Sequence, residues 1–170
     1  MEDCIMKALV IYDSAYGNTE RIARAIGEGL DRELDVEVIH VNSVTPEQLY
    51  GLTVLIVGSP TQGFNATEQM RNLLASIPAQ GLAGVGVAGF DTRISIEDIR
   101  SDVGRFAAKL FLHRYAAKPI TSILIKLGGH ELIEPEGFFV TDTEGPLKEG
   151  ELERAAAWAQ SILEAVKVTP

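Results

Sequence analysis

One cysteine and three histidines among 170 residues leave little material for thiol or metal chemistry. Cys4 has no partner within the chain and precedes the first apolar run without a histidine beside it, so it reads as a bystander. His40, His113 and His130 stand too far apart to form a recognisable metal motif, and no Ser/His/Asp or Cys/His set is suggested. No apolar stretch reaches the length of a membrane span, and the N-terminus lacks a basic patch followed by an apolar core. The expectation is a cytoplasmic protein without a membrane partner. Bases are scarce as well: 15 Lys and Arg against 24 Asp and Glu give a formal charge of −9, which argues against DNA or RNA. No glycine-rich turn ends in Lys followed by Ser or Thr, which argues against ATP and GTP chemistry.

What is present is enough apolar sequence, 46%, to build one domain over residues 1–170 without covalent staples. Apolar runs alternate with helical patterns across short loops, which predicts an α/β fold with a parallel sheet wrapped by helices on both faces. The runs at 5–12 and 52–58 are nearly continuous, as in strands covered on both sides, whereas 35–41 alternates like a strand near an edge. Residues 84–90 supply a fourth strand and 131–140 contain a fifth. Ile22, Ala23, Ile26 and Leu30 mark one helix face, and Met70, Leu73, Leu74 and Ile77 mark another, which Asn65 and Glu68 could open as a capping box. Leu152, Ala155, Ala156, Ala159, Ile162, Leu163 and Val166 make a closing helix.

The most informative turn joins the first strand to the first helix. Ser14, Ala15, Tyr16, Gly17, Asn18 and Thr19 combine hydroxyl, amide and glycine groups where a helix N-terminus opens, and free N–H groups and the helix dipole there favour an anion. Gly17 permits close backbone approach, and no Lys or Arg lies within the turn, so a phosphate would be held by neutral donors. An ordinary capping turn, with Asn18 or Thr19 as the cap, is the plainer alternative. Gly84, Gly86 and Gly89 fit the dinucleotide G-x-G-x-x-G spacing, but they fall inside an apolar run with no helix opening after it. Small residues there suit close approach of a helix or a flavin edge to the sheet.

The loop from Ser14 to Thr19 resembles the flavodoxin signature, in which a strand, a Ser/Thr-x-Thr-Gly-x-Thr turn and a helix hold the phosphate of FMN. Tyr16 replaces the middle Thr. The resemblance extends over essentially the whole chain, including Phe138, Phe139, Val140 and residues 143–147. It implies a flavodoxin-like doubly wound sheet of order 2-1-3-4-5, with FMN held where three loops meet at the carboxyl ends of the strands. The second loop is Ser59, Pro60, Thr61, Gln62, Gly63, Phe64 and Asn65; the third is Phe90, Asp91, Thr92, Arg93, Ile94 and Ser95, of which the first four are the expected flavin contacts. The usual stacking Trp and Tyr of these loops are missing, so Phe64 could supply one ring face or anchor its loop, and Tyr16 or Phe90 could approach the other. Arg93 could reach the anionic edge of the reduced flavin, or pair with Asp91 or Glu97.

Residues 92–129 form an extended third-loop and helical region. Val103, Phe106, Ala107, Leu110 and Phe111 share one helical face, and Pro119 can begin a second helix carrying Ile120, Ile123, Leu124 and Leu127. That face either meets the core with basic residues outward, or forms a lid or homodimer surface beside the flavin mouth. Charge is uneven too, with eight acids against Lys148 from 131 to 153 and seven bases against three acids from 93 to 126. The functional expectation is an FMN-binding electron carrier serving redox partner proteins. An FMN-dependent NAD(P)H:quinone oxidoreductase and a flavin-free interaction module are the alternatives.

Overall fold

The computed structural model describes residues 5–111 and 115–169, so Cys4, His113 and Arg114 lie outside the described residues. The chain runs β1 (Lys7–Tyr12), α1 (Asn18–Leu30), β2 (Asp35–His40), β3 (Val54–Pro60), α2 (Glu68–Ser76), β4 (Gly86–Ile94), α3 (Asp102–Leu110), α4 (Ala117–Lys126), β5 (His130–Glu131), β6 (Glu136–Val140) and α5 (Glu151–Val168). All strand pairings are parallel, in the order β2-β1-β3-β4-β5, with β6 also pairing β4. The order 2-1-3-4-5 therefore holds. The expected fifth strand is delivered in two pieces on one edge of β4, separated by residues 132–135, where Pro135 has no N–H to give to a ladder.

Strand alternation feeds two cores. Ala8, Val10 and Tyr12 of β1 face α1 and α5, joining Ile22, Ile26, Leu30, Trp158 and Ile162, while Leu9 and Ile11 face α2 and α4, joining Met70, Leu74, Ile120 and Leu124. Both faces of β1 and β3 are thus covered, which is why their sequences lack polar alternation. Gly89 explains one of the small residues in β4. A Cβ there would lie 2.4 Å from Thr121 Oγ1 and 2.8 Å from the Ala117 carbonyl oxygen, so α4 sits directly on the strand.

Two local expectations are corrected. The cap of α2 is Thr67, whose hydroxyl accepts the Met70 N–H; Asn65 belongs to the preceding turn. The stripe on α3 is helical as expected but does not meet the core. Val103, Phe106 and Leu110 are 79%, 65% and 55% exposed, and Ala108 is the buried residue of that helix. The reason is occupancy: α4, starting before Pro119, already covers this face of β3 and β4, and α3 is left beside the turn at 96–98.

Candidate functional site

At the carboxyl end of β1 the chain leaves the sheet at Asp13, whose N–H still reaches the Gly58 carbonyl of β3. Asp13 is a structural tie. Its carboxylate accepts from the Ser14 N–H (2.8 Å) and the Thr67 hydroxyl (2.5 Å), and lies 3.3 Å from His40 Nε2. Ser14 Oγ then accepts the N–H groups of Gly17 (3.0 Å) and Glu20 (3.3 Å). Gly17 caps α1 with φ of 86°, a left-handed conformation with open space where a Cβ would stand. Neither Asn18 nor Thr19 is the cap. Among the described residues, the N–H groups of Ala15, Tyr16, Asn18 and Thr19 find no acceptor. All four residues line one cleft of about 360 Å³.

The side chains beside these amides are already engaged. Thr19 Oγ1 and Thr92 Oγ1 share a buried hydrogen bond of 2.8 Å, which joins α1 to β4, and Asn18 donates through Nδ2 to the Glu144 carbonyl at 3.1 Å. The opposite wall is the turn from Gln62 to Asn65, closed by reciprocal backbone bonds of 2.8 and 2.9 Å with φ of 53° at Gly63 and 61° at Phe64. A positive φ costs Phe64 conformational energy, and its ring packs 5.6 Å from Phe111 and 5.8 Å from Tyr115. Phe64 therefore anchors the loop. Thr61 fixes the same wall, donating its N–H to the Thr92 carbonyl and accepting the Ala116 N–H on Oγ1.

β4 extends to Ile94, so the expected third loop is strand, and alternation sorts its side chains. Phe90 falls on the α5 face, fully buried against Phe138 and Trp158, in a slot left by Gly58, and cannot approach a flavin. Asp91 and Arg93 fall on the α4 face. Arg93 grips the Asp91 carboxylate with Nε and Nη2 at 2.6 and 2.5 Å, and its guanidinium lies 4.3 Å from the Tyr115 ring centroid. A Cβ on Gly137 would sit 2.4 Å from Arg93 Cζ, so glycine makes room for the pair. Burial pushes the Asp91 carboxyl up; Arg93, the Ala117 N–H and the Thr61 hydroxyl oppose that shift. Of the two roles open to Arg93, the pairing with Asp91 is the one formed.

Ala15, Tyr16, Asn18, Thr19, Pro60, Thr61, Gln62, Gly63, Thr92 and Arg93 converge on the cleft. Five expected residues lie elsewhere: Ser14 behind the turn, Ser59 buried with Oγ accepting the Thr67 N–H, Phe64 and Asn65 on the far side of their turn, and Phe90 in the core. Gly17 shapes the turn without lining it, and Asp91 sits beneath Arg93. Ile94, a member of the expected third loop, completes the lining with Val140 and Thr143, which were not anticipated. The signal for Val140 and Thr143 was available, because a cleft at the carboxyl ends of the strands also takes in the end of the last strand. Tyr16, 55% exposed, is the aromatic residue among the described lining residues.

Comparison with known proteins bears on this arrangement. The family model for flavodoxin matches residues 10–92, which include the end of β1, the turn of 14–19 and the opposite wall. A flavodoxin of Clostridium saccharobutylicum is 28% identical over 95% of this chain and 98% of its own length. The chain is thus similar to flavodoxins over nearly its whole length. The diflavin flavoprotein A 4 of Synechocystis sp. is 39% identical over 47% of this chain; that match spans 15% of the relative's length. The flavodoxin fold is seen again in oxidised Flavodoxin 1 from Bacillus cereus, with a TM-score of 0.72 at 18% identity, covering 93% of this chain and 97% of that one. Among the described residues no helix is long and apolar enough to cross a membrane, and no group of three His, Cys, Asp or Glu could hold a metal ion.

Proposed function

We propose that residues 1–170 act as one flavodoxin domain that binds FMN in the cleft and carries electrons between redox partner proteins. The observation that carries this reading is the set of four acceptor-free amides, at Ala15, Tyr16, Asn18 and Thr19, at one end of a cleft of about 360 Å³. Backbone N–H groups at a helix start suit a phosphate ester, and charge-assisted bonds from them are the strong kind. Thr61, Gln62, Gly63, Ile94 and Val140 would flank the ring, with Tyr16 at its edge. FMN, when bound, supplies the electron-transfer chemistry; the chain supplies the position and surroundings of its ring. Arg93 lines the cleft with its charge committed to Asp91, so the residues facing the ring are largely uncharged. The carrier reading is favoured over a quinone reductase by the similarity to a flavodoxin along 98% of that protein's length.

The test is the visible spectrum of the untreated protein. Flavin absorbance, release of FMN rather than FAD on denaturation, and negligible oxidation of NADPH with quinone alone are the expected results. A colourless protein that takes up no added FMN would overturn the assignment, and rapid NADPH:quinone turnover would replace the carrier with the enzyme.

A further inference from the structure

The exposed apolar stripe of α3 takes no part in the cleft. Val103, Phe106 and Leu110, at 79%, 65% and 55% exposure, recur at helical spacing along a nine-residue helix that is otherwise capped and regular, with the Ser101 hydroxyl accepting the Gly104 N–H. Together they expose on the order of 400 Å² of apolar surface, the size of the largest patch on an ordinary monomer, which is often functional. Phe111 continues the stripe toward Phe64.

We propose that a second copy of this chain covers the stripe, with the two α3 helices packed antiparallel about a two-fold axis near Phe106. The pattern is self-complementary. Phe106 lies midway along α3, so two-fold pairing sets Phe106 on its mate and Val103 on Leu110 of the other copy. On the flank beside Phe106 lie Asp102 at the N-terminal end and Lys109 at the C-terminal end. Antiparallel packing brings like flanks together end for end, so Asp102 of each copy meets Lys109 of the other. Both are exposed; Lys109 has no ion-pair partner among the described residues, and Asp102 pairs within its own helix with Arg105. A stripe of this area supplies about half of what a stable interface buries per partner, so the dimer is concentration-dependent.

Sedimentation velocity of the full chain over a concentration series tests the proposal. A monomer–dimer equilibrium is expected, and Phe106→Glu should raise its dissociation constant at least about thirtyfold while circular dichroism stays unchanged. Asp102→Lys and Lys109→Asp should each weaken the dimer severalfold, and the double exchange should recover it, which loss of helix stability alone would not do. A monomer at every concentration, a dimer indifferent to Phe106→Glu, or a double exchange no better than the single ones overturns it. The readouts need no flavin, so failure here leaves the assignment of the cleft untouched.

Discussion

The two ends of the cleft are built on opposite plans. At the turn of 15–19 the backbone leaves four N–H groups without acceptors and holds no cationic side chain, whereas at the β4 end the charged side chain, Arg93, is fully committed to Asp91 and stacked on Tyr115. One end keeps its donors for a ligand; the other spends its charge on the fold. A cation lining a ligand cleft is therefore not by itself a ligand contact, and an uncharged turn can be the stronger anion site when its amides are unsatisfied.

Substitution at the β4 end breaks this contrast most forcefully. Arg93→Gln strands a buried carboxylate and should cost roughly 3 kcal/mol or more of stability in urea unfolding, while the midpoint potential of bound flavin stays close to that of the parent. A large shift in potential with stability intact would show that the cation serves the ring. At the other end, Gly17→Val should cost about 1–2 kcal/mol because φ is 86° there, and should weaken FMN binding about tenfold or more by misplacing the amides; Gly17→Asn, which tolerates that conformation, should keep most of both. Equal damage from Val and Asn in a fluorescence titration would argue against a conformational cause.

A smaller effect is expected behind the turn. Ser14→Ala removes the acceptor of two N–H groups, costing about 1 kcal/mol and weakening FMN binding only a few-fold, since the four free amides remain. The smallest concerns Glu151, another committed charge, which clamps β6 to α5 by accepting from the Phe139 N–H (2.6 Å) and Arg154. Burial pushes its carboxyl up, but bonds from Arg154 and Phe139 prevail and hold it below the usual carboxylate range. A depressed folded value stabilises above the unfolded pKa, about 4.3 for Glu, and that contribution is lost as pH falls through the folded value. Thermal melts of Glu151→Gln should therefore lose less stability on acidification than the parent; parallel losses would remove Glu151 from the acid response.

The turn and the sheet were legible because their information is local. Ser14 to Thr19 carry strand end, glycine and helix start within six residues, and two-sided burial of β1 and β3 is written in their unbroken apolar runs. What failed to show is relational. Periodicity announces that α3 has an apolar face but not that α4 has already taken the sheet beneath it, and a run of residues after Gly89 looks like a loop until β6 extends the ladder alongside Phe90 to Ile94. Phe90 was misplaced for that reason. Its neighbour Arg93 offered two partners in sequence, and only the alternation of an extended β4 puts Asp91 beside it.

The central claim rests on the free amides, and titration of the flavin-free protein with FMN and with riboflavin tests it most directly. FMN should bind about a hundredfold more tightly than riboflavin, the gain expected from a few charge-assisted bonds to its phosphate. Equal affinity for the two would contradict it.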